Sequence, residues 1–344
     1  MAPMRRAMLR LAPILQLTRV TTAFASVANV WFVILWTRAA ATPPGLDPAD
    51  AAAVAAPPLE PGTEALRTLP LWALLLGGAV NALGLFAYAA ALNDVLDFRR
   101  DRALHPDRPL PSGRLTIGSA ITLVVCTFIA AVLGAAVLGI GSVVLTLLIA
   151  GAILFFNGAG RFVPAVGLIV LGLIYAGQMV TPNLNLRFVW PVWLVMTHSL
   201  LVATAAHIYG RKVPLISRRA AATAVAGWAF WSAVMFFFAY RRSGTLWPEW
   251  VSPSAALGPA VLAGLFALWA WQKVRTHGRS ARAAEKVSRY GALWLALYAC
   301  AWMFGQGYTS GGFILTALTV VGFVGMTTLR EIYNLIQNPL GYRR

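Results

Sequence analysis

The chain has 344 residues, 59% of them hydrophobic and only 11% charged, with a formal net charge of +17. A soluble domain carries roughly 25% charge, so this composition excludes a water-soluble globular protein and marks a membrane protein. The basic surplus is spread over alternate loops between apolar runs. That distribution excludes nucleic acid as the partner and suits anionic lipid headgroups or an anionic substrate.

Taken in chain order, the basic residues Arg5, Arg6 and Arg10 precede a first apolar run at 13–37. That run is too long for a signal-peptide core and lacks a cleavage site, so it reads as a span. An Ala- and Pro-rich stretch at 39–68 follows, holding Asp47, Asp50, Glu60 and Glu64. It reads as an outward-facing loop insertion without chemistry of its own. The second span, 70–92, runs directly into Asn93-Asp94-Val-Leu-Asp97-Phe-Arg-Arg-Asp101. This stretch concentrates acidic charge in a chain with only 11 acidic residues.

On a helix, Asn93, Asp97 and Asp101 fall at i, i+4 and i+8 and stack about 6 Å apart on one face. Three oxygen-bearing side chains in a row at a membrane edge suit Mg²⁺. Residues 102–114 then bring Arg108, a Pro-Leu-Pro break, a Ser112-Gly113 turn and Arg114. Carboxylates at a helix end with arginines folded back near them suit a diphosphate: the metal bridges phosphate oxygens and the arginines take the remaining charge.

Further spans are expected at 116–138, 142–157, 163–181, 188–208, 220–240, 254–272 and 290–308. A last apolar run at 312–330 is either a tenth span or a re-entrant tail. The expected fold is an all-α polytopic membrane bundle of nine helices, ten if that run crosses. One membrane domain would cover 1–344, with 309–344 as a C-terminal extension. Basic loops at 99–114, 211–219 and 273–289 belong with the N-terminus on the cytoplasmic side, in a bacterial inner membrane. Cys126 and Cys300 lie inside spans, where neither a disulfide nor a metal site is expected.

Several intramembrane polar groups have two readings. His198, Gln178 and Asn183 either line a cavity or tie helices together. Tyr88, Tyr175, Trp193 and Tyr209 can line an apolar tunnel or quench a cation by π contact, although most intramembrane aromatics simply pack.

Asn93-Asp94-x-x-Asp97-x-x-x-Asp101 followed by Arg108-Pro-Leu-Pro-Ser-Gly-Arg114 resembles the first aspartate-rich motif of the UbiA superfamily of intramembrane prenyltransferases. Arg19, ahead of Thr21-Thr22-Ala23 and Asn29, resembles that family's first-helix arginine and polar positions. Phe155-Phe156-Asn157 ahead of Arg161 resembles its short cytoplasmic loop with an aromatic and a cation. The resemblance covers residues 10 to 308. It implies a Mg²⁺-dependent transfer of a prenyl group from a polyprenyl diphosphate to a lipophilic, for instance aromatic, acceptor in the membrane. It also implies that Asn93, Asp97 and Asp101 carry the metal, with Asp94 and Asp107 as supporting candidates, and that Arg108, Arg114 and Arg161 hold the diphosphate.

The chain departs from the pattern at one place. The family's second aspartate-rich motif would fall after the sixth span, where this chain reads His207-Ile-Tyr-Gly-Arg211-Lys212-Val-Pro214. No acid lies between Asp107 and Glu249, so no realignment restores it. Glu285 is cytoplasmic but reads as half of a solvated ion pair. His207 and Arg211 can stand in the places of the missing aspartates, with Arg211 and Lys212 neutralising the diphosphate directly. The chain can equally be a non-catalytic relative that binds or helps move isoprenoid lipids, loosely similar to the EboC-type subgroup. As a third reading, His207 packs in the bundle and the two cations merely follow the positive-inside rule.

Overall fold

A computed structural model describes residues 11–41 and 63–337. Arg5, Arg6, Arg10 and most of the expected outward insertion fall outside the described residues. Those described are helical or in short connections, without a strand. Residues 11–18 form α1. Then come α2 (Phe24–Ala40), α3 (Glu64–Thr68), α4 (Leu71–Leu96), α5 (Phe98–Leu104), α6 (Ile117–Leu138) and α7 (Ile140–Gly158). These are followed by α8 (Pro164–Val180), α9 (Trp190–Tyr209), α10 (Arg218–Ser243), α11 (Leu257–His277), α12 (Ala281–Gly305) and α13 (Thr309–Gln337).

Among the described residues, 7 helical segments are long and apolar enough to cross a membrane: α4, α6, α7, α9, α10, Pro253–His277 and Thr309–Leu329. α2 and α8 are apolar but shorter, and α12 carries its charges in its first turns and its apolar residues beyond them. The protein is an all-helical, multi-pass integral membrane protein. Each span expected from the sequence falls on a helix. The first is broken: Arg19 adopts a left-handed conformation (φ 50°), and a 3₁₀ turn at Val20–Thr22 separates α1 from α2.

Packing explains how the helices are held in a solvent that gives no hydrophobic drive between them. α4 and α6 approach at glycines. A Cβ on Gly134 would come within 2.4 Å of the Asn81 nitrogen, and one on Gly84 within 2.6 Å of the Ala131 nitrogen. At that crossing Asn81 Nδ2 donates to Ala131 O and Thr146 Oγ1, each at 2.9 Å, joining α4, α6 and α7. The outer stripe of α6, Ile121, Val125 and Ile129, stays exposed at helical spacing and faces lipid.

The intramembrane polar residues tie helices together. Gln178 Nε2 donates to Ala82 O at 3.3 Å, and Asn183 Nδ2 to Thr37 Oγ1 at 3.1 Å. His198 Nε2 donates to Gly291 O at 3.0 Å, and the Tyr298 hydroxyl meets Nδ1 at 3.0 Å. Both partners of His198, a carbonyl and a phenol, lie on α12. Among the described residues, helix starts are capped by side chains accepting from backbone N–H groups: Thr116 Oγ1 from Ser119 (3.1 Å), Ser217 Oγ from Ala220 (3.1 Å) and Ser280 Oγ from Ala283 (3.3 Å).

Candidate functional site

The acidic segment lies at one end of α4, where it gives way to the short α5. α4 stops at Leu96, Asp97 sits between helices (φ −85°, ψ 1°), and α5 starts at Phe98. The arginines divide the acidic segment into two pairs. Asn93 and Asp97 share Arg161: its Nη1 donates to Asn93 Oδ1 at 2.7 Å and to Asp97 Oδ2 at 2.8 Å, while Nη2 holds Asp97 Oδ1. Asp94 and Asp101, two turns apart, face Arg108. Its Nη1 lies 2.6 Å from Asp101 Oδ2 and 4.0 Å from Asp94 Oδ1. Arg19, released from the helix by its left-handed turn, reaches Asp94 Oδ1 at 3.1 Å.

Asp94 and Asp101 are buried, so each depends on its arginine to offset the loss of hydration. Among the described residues no three His, Cys, Asp or Glu side chains cluster closely enough to hold a metal ion. The donor chemistry still fits Mg²⁺. Asn93 Oδ1 and Asp97 Oδ2 converge on one nitrogen, so a cation already stands where these two hard oxygens meet.

A cavity of about 1300 Å³ opens beside this segment. Arg19 and Arg108 line it, with their carboxylate partners behind them; Lys212 and Arg289 line it as well. Phe86 of α4, Tyr175 of α8 and Leu293 of α12 make its apolar portion. At a rise of 1.5 Å per residue, Phe86 stands roughly 15 Å along α4 from its acidic end. The cavity is therefore charged near the helix ends and apolar toward the bundle interior. Of the four aromatic candidates, Tyr175 lines it. Tyr88 instead meets the Ala150 carbonyl at 3.4 Å, and Trp193 Nε1 bonds Ser232 Oγ at 3.0 Å.

The end of α9 shows which of its cations reaches the cavity. Arg211 N–H bonds Ile208 O at 3.2 Å and Lys212 N–H bonds His207 O at 3.1 Å, with Arg211 at φ 48°. That is a Schellman ending with arginine in the left-handed position usually given to glycine. The reversal directs Lys212 to the cavity wall, which Arg211 does not line. His207 Nε2 donates to the Pro214 carbonyl at 2.8 Å. Lys212 stays accessible, yet desolvation by the surrounding walls lowers its pKa from the ordinary lysine value. Arg114 bonds Ser112 Oγ (3.0 Å) and the Asp107 carbonyl within its own loop, and it does not line the cavity.

Sequence reasoning passed over several wall residues. Glu285 and Arg289 do form an ion pair (2.5 Å), but it stands on the cavity wall. Phe323, Met326 and Glu331 of α13 close another side. A charged residue near a helix start looks the same from sequence whether it faces water or a cavity, so only packing reveals these.

The sequence profile of the UbiA prenyltransferase family matches residues 51–286. No curated protein matches the chain. Among solved structures, a digeranylgeranylglyceryl phosphate synthase superposes with a TM-score of 0.52 at 16% identity, over 86% of this chain and 98% of that one. A UbiA homologue from Aeropyrum pernix K1 gives 0.48 at 20% identity, over 80% and 94%. One from Archaeoglobus fulgidus, bound to GPP and Mg²⁺, gives 0.40 at 12% identity, over 92% and 99%. At these identities the first likeness is one of fold alone.

Proposed function

The chain belongs to the UbiA prenyltransferase family, and we propose that it transfers a prenyl group from a polyprenyl diphosphate to a lipophilic acceptor within the membrane. The observation that carries this reading is the polarity of the cavity. Arg19, Arg108 and Lys212 stand at one end, and Phe86, Tyr175 and Leu293 line the interior. Such a shape takes a molecule with an anionic head and an apolar chain. The reading places the basic helix ends on the cytoplasmic side of a bacterial inner membrane.

In this reading the reactive step is heterolysis of the allylic carbon–oxygen bond. The electron pair leaves with the diphosphate oxygen, and an allylic carbocation remains for the acceptor to attack. Arg19, Arg108, Arg161 and Lys212 stabilise the negative charge that grows on the diphosphate, which is where preorganised cations contribute most. Asn93 and Asp97, with Asp94 and Asp101 beside them, would hold Mg²⁺. When bound, that ion supplies Lewis-acid stabilisation of the leaving diphosphate. The apolar wall excludes water that would otherwise capture the carbocation, and the Tyr175 ring can stabilise it by π contact. The acceptor loses a proton after alkylation, and Glu285 and Glu331 are the carboxylates on the cavity wall that can receive it.

The test uses purified full-length protein, Mg²⁺ and labelled farnesyl or geranylgeranyl diphosphate, with a membrane lipid extract as acceptor. Mg²⁺-dependent release of diphosphate with a prenylated product is the expected result. Mg²⁺-dependent binding without release would instead favour a protein that binds or moves isoprenoid lipids. Asp97→Ala should abolish the metal-dependent binding under both readings.

A further inference from the structure

Arg19 and Arg108, paired with the acidic end of α4, and Lys212, at the end of α9, line the cavity; α4 packs on α2, α6 and α7, whereas α9 packs on α8 and α12. On the α4 side stand Asn93, Asp94, Asp97 and Asp101. On the α9 side the chain has no acid between Asp107 and Glu249. His207 Nε2 is engaged by the Pro214 carbonyl, and the nearby wall carboxylate, Glu285, is bonded to Arg289 at 2.5 Å. Glu331 reaches the wall from α13, but it belongs to no three-residue acidic group among the described residues. A hard divalent ion is held through carboxylate oxygens, and the α9 side presents no pair of them. What it presents is Lys212, turned inward by the Schellman ending.

We infer that the cavity holds one divalent cation per diphosphate, on the Asn93–Asp97 side, and that Lys212 binds the diphosphate directly on the other side. This rests on reading the cavity as a prenyl-diphosphate site. A diphosphate offers non-bridging oxygens on both phosphorus atoms, so two sources of positive charge can act on it at once. An ammonium is a compact charge with three donors on a flexible stem, able to meet oxygens without the directional demands of a coordination shell.

The experiment counts Mn²⁺ by electron paramagnetic resonance on the purified full chain. The ligand is farnesyl thiolodiphosphate, whose carbon–sulfur bond resists ionisation. One Mn²⁺ bound per ligand is expected, and two would overturn the inference. Lys212→Met should weaken ligand binding by about 10- to 100-fold, the range for one charge-assisted hydrogen bond, with the Mn²⁺ count still one. Lys212→Arg, which keeps the charge and is less prone to misfold, should retain most of the affinity. Unchanged affinity in Lys212→Met would also overturn it. If the unaltered chain shows no Mn²⁺-dependent ligand binding at all, the prenyl-diphosphate reading falls, and the inference falls with it.

Discussion

Arg161 grips Asp97 with both guanidinium nitrogens, and its Nη1 also reaches Asn93 at 2.7 Å. The oxygens best placed to hold a divalent ion are thus already occupied by a side-chain cation. Both side chains are largely enclosed, with 19% of Arg161 and 13% of Asp97 accessible, so this is not a screened surface pair.

Metal and Arg161 should therefore compete. Arg161→Ala frees the two oxygens, and Mn²⁺ affinity in the absence of diphosphate should rise by roughly tenfold, the equivalent of one charge-assisted bond no longer broken on binding. The same variant should bind prenyl diphosphate more weakly, because it loses a cation from the site. Titration of Mn²⁺ with and without ligand separates the two effects. Equal or weaker metal affinity in the variant would show that Arg161 organises the oxygens instead of blocking them.

Much of this site could be read from the sequence because its parts are local. Asn93, Asp94, Asp97 and Asp101 are close in the chain, and their density in an acid-poor protein is visible without a structure. Arg19 and Arg161 came only through resemblance, since they lie 75 and 64 residues from their partners Asp94 and Asp97. What the sequence did not show is how the arginines divide the segment: Asp94 and Asp101 share Arg108, whereas Asn93 and Asp97 share Arg161, and helical spacing carries no information on which distant cation meets which oxygen. The fold was legible for the opposite reason: lipid-facing and buried residues are both apolar, so spans stand out, while which face packs inward does not.

The choice between Arg211 and Lys212 is of the same kind. The two are adjacent cations, and only the left-handed turn at Arg211 decides which one faces the cavity. Arg211→Gly should therefore leave diphosphate affinity unchanged. It should also stabilise the fold by about 1 kcal/mol or less, the left-handed cost for a side-chain-bearing residue offset in part by glycine's greater chain entropy. Thermal unfolding in detergent alongside a ligand titration reads both quantities. A tenfold loss of affinity would place Arg211 among the ligands after all.

His198 and Tyr298 make a prediction about stability that leaves the chemistry aside. Gly291 O can only accept, so in the neutral ring Nε2 carries the proton and Nδ1 accepts from the Tyr298 hydroxyl. Tyr298→Phe strands a buried acceptor and should cost roughly 1–3 kcal/mol. Removing both partners, as Tyr298→Phe with His198→Leu, should cost less than the sum of the two single changes, because no polar atom is left stranded. Additive losses in thermal unfolding would mean that the two side chains contribute by packing alone.

Lys212 should give stability and binding opposite dependences on pH. Desolvation lowers its pKa in the folded protein, so between that value and the ordinary lysine value the unfolded chain binds more protons. Stability then rises with pH across the window, as the cost of holding a poorly hydrated charge is relieved. Diphosphate affinity should fall over the same window, because the neutral amine no longer attracts the anion. The other charged groups on the cavity wall are Arg19, Arg108, Arg289, Glu285 and Glu331. Ligand affinity measured from neutral to alkaline pH should decline for the unaltered chain and stay flat in Lys212→Arg, whose guanidinium does not titrate in that range. Parallel curves for the two proteins would assign the pH dependence to another group and take Lys212 out of contact with the ligand.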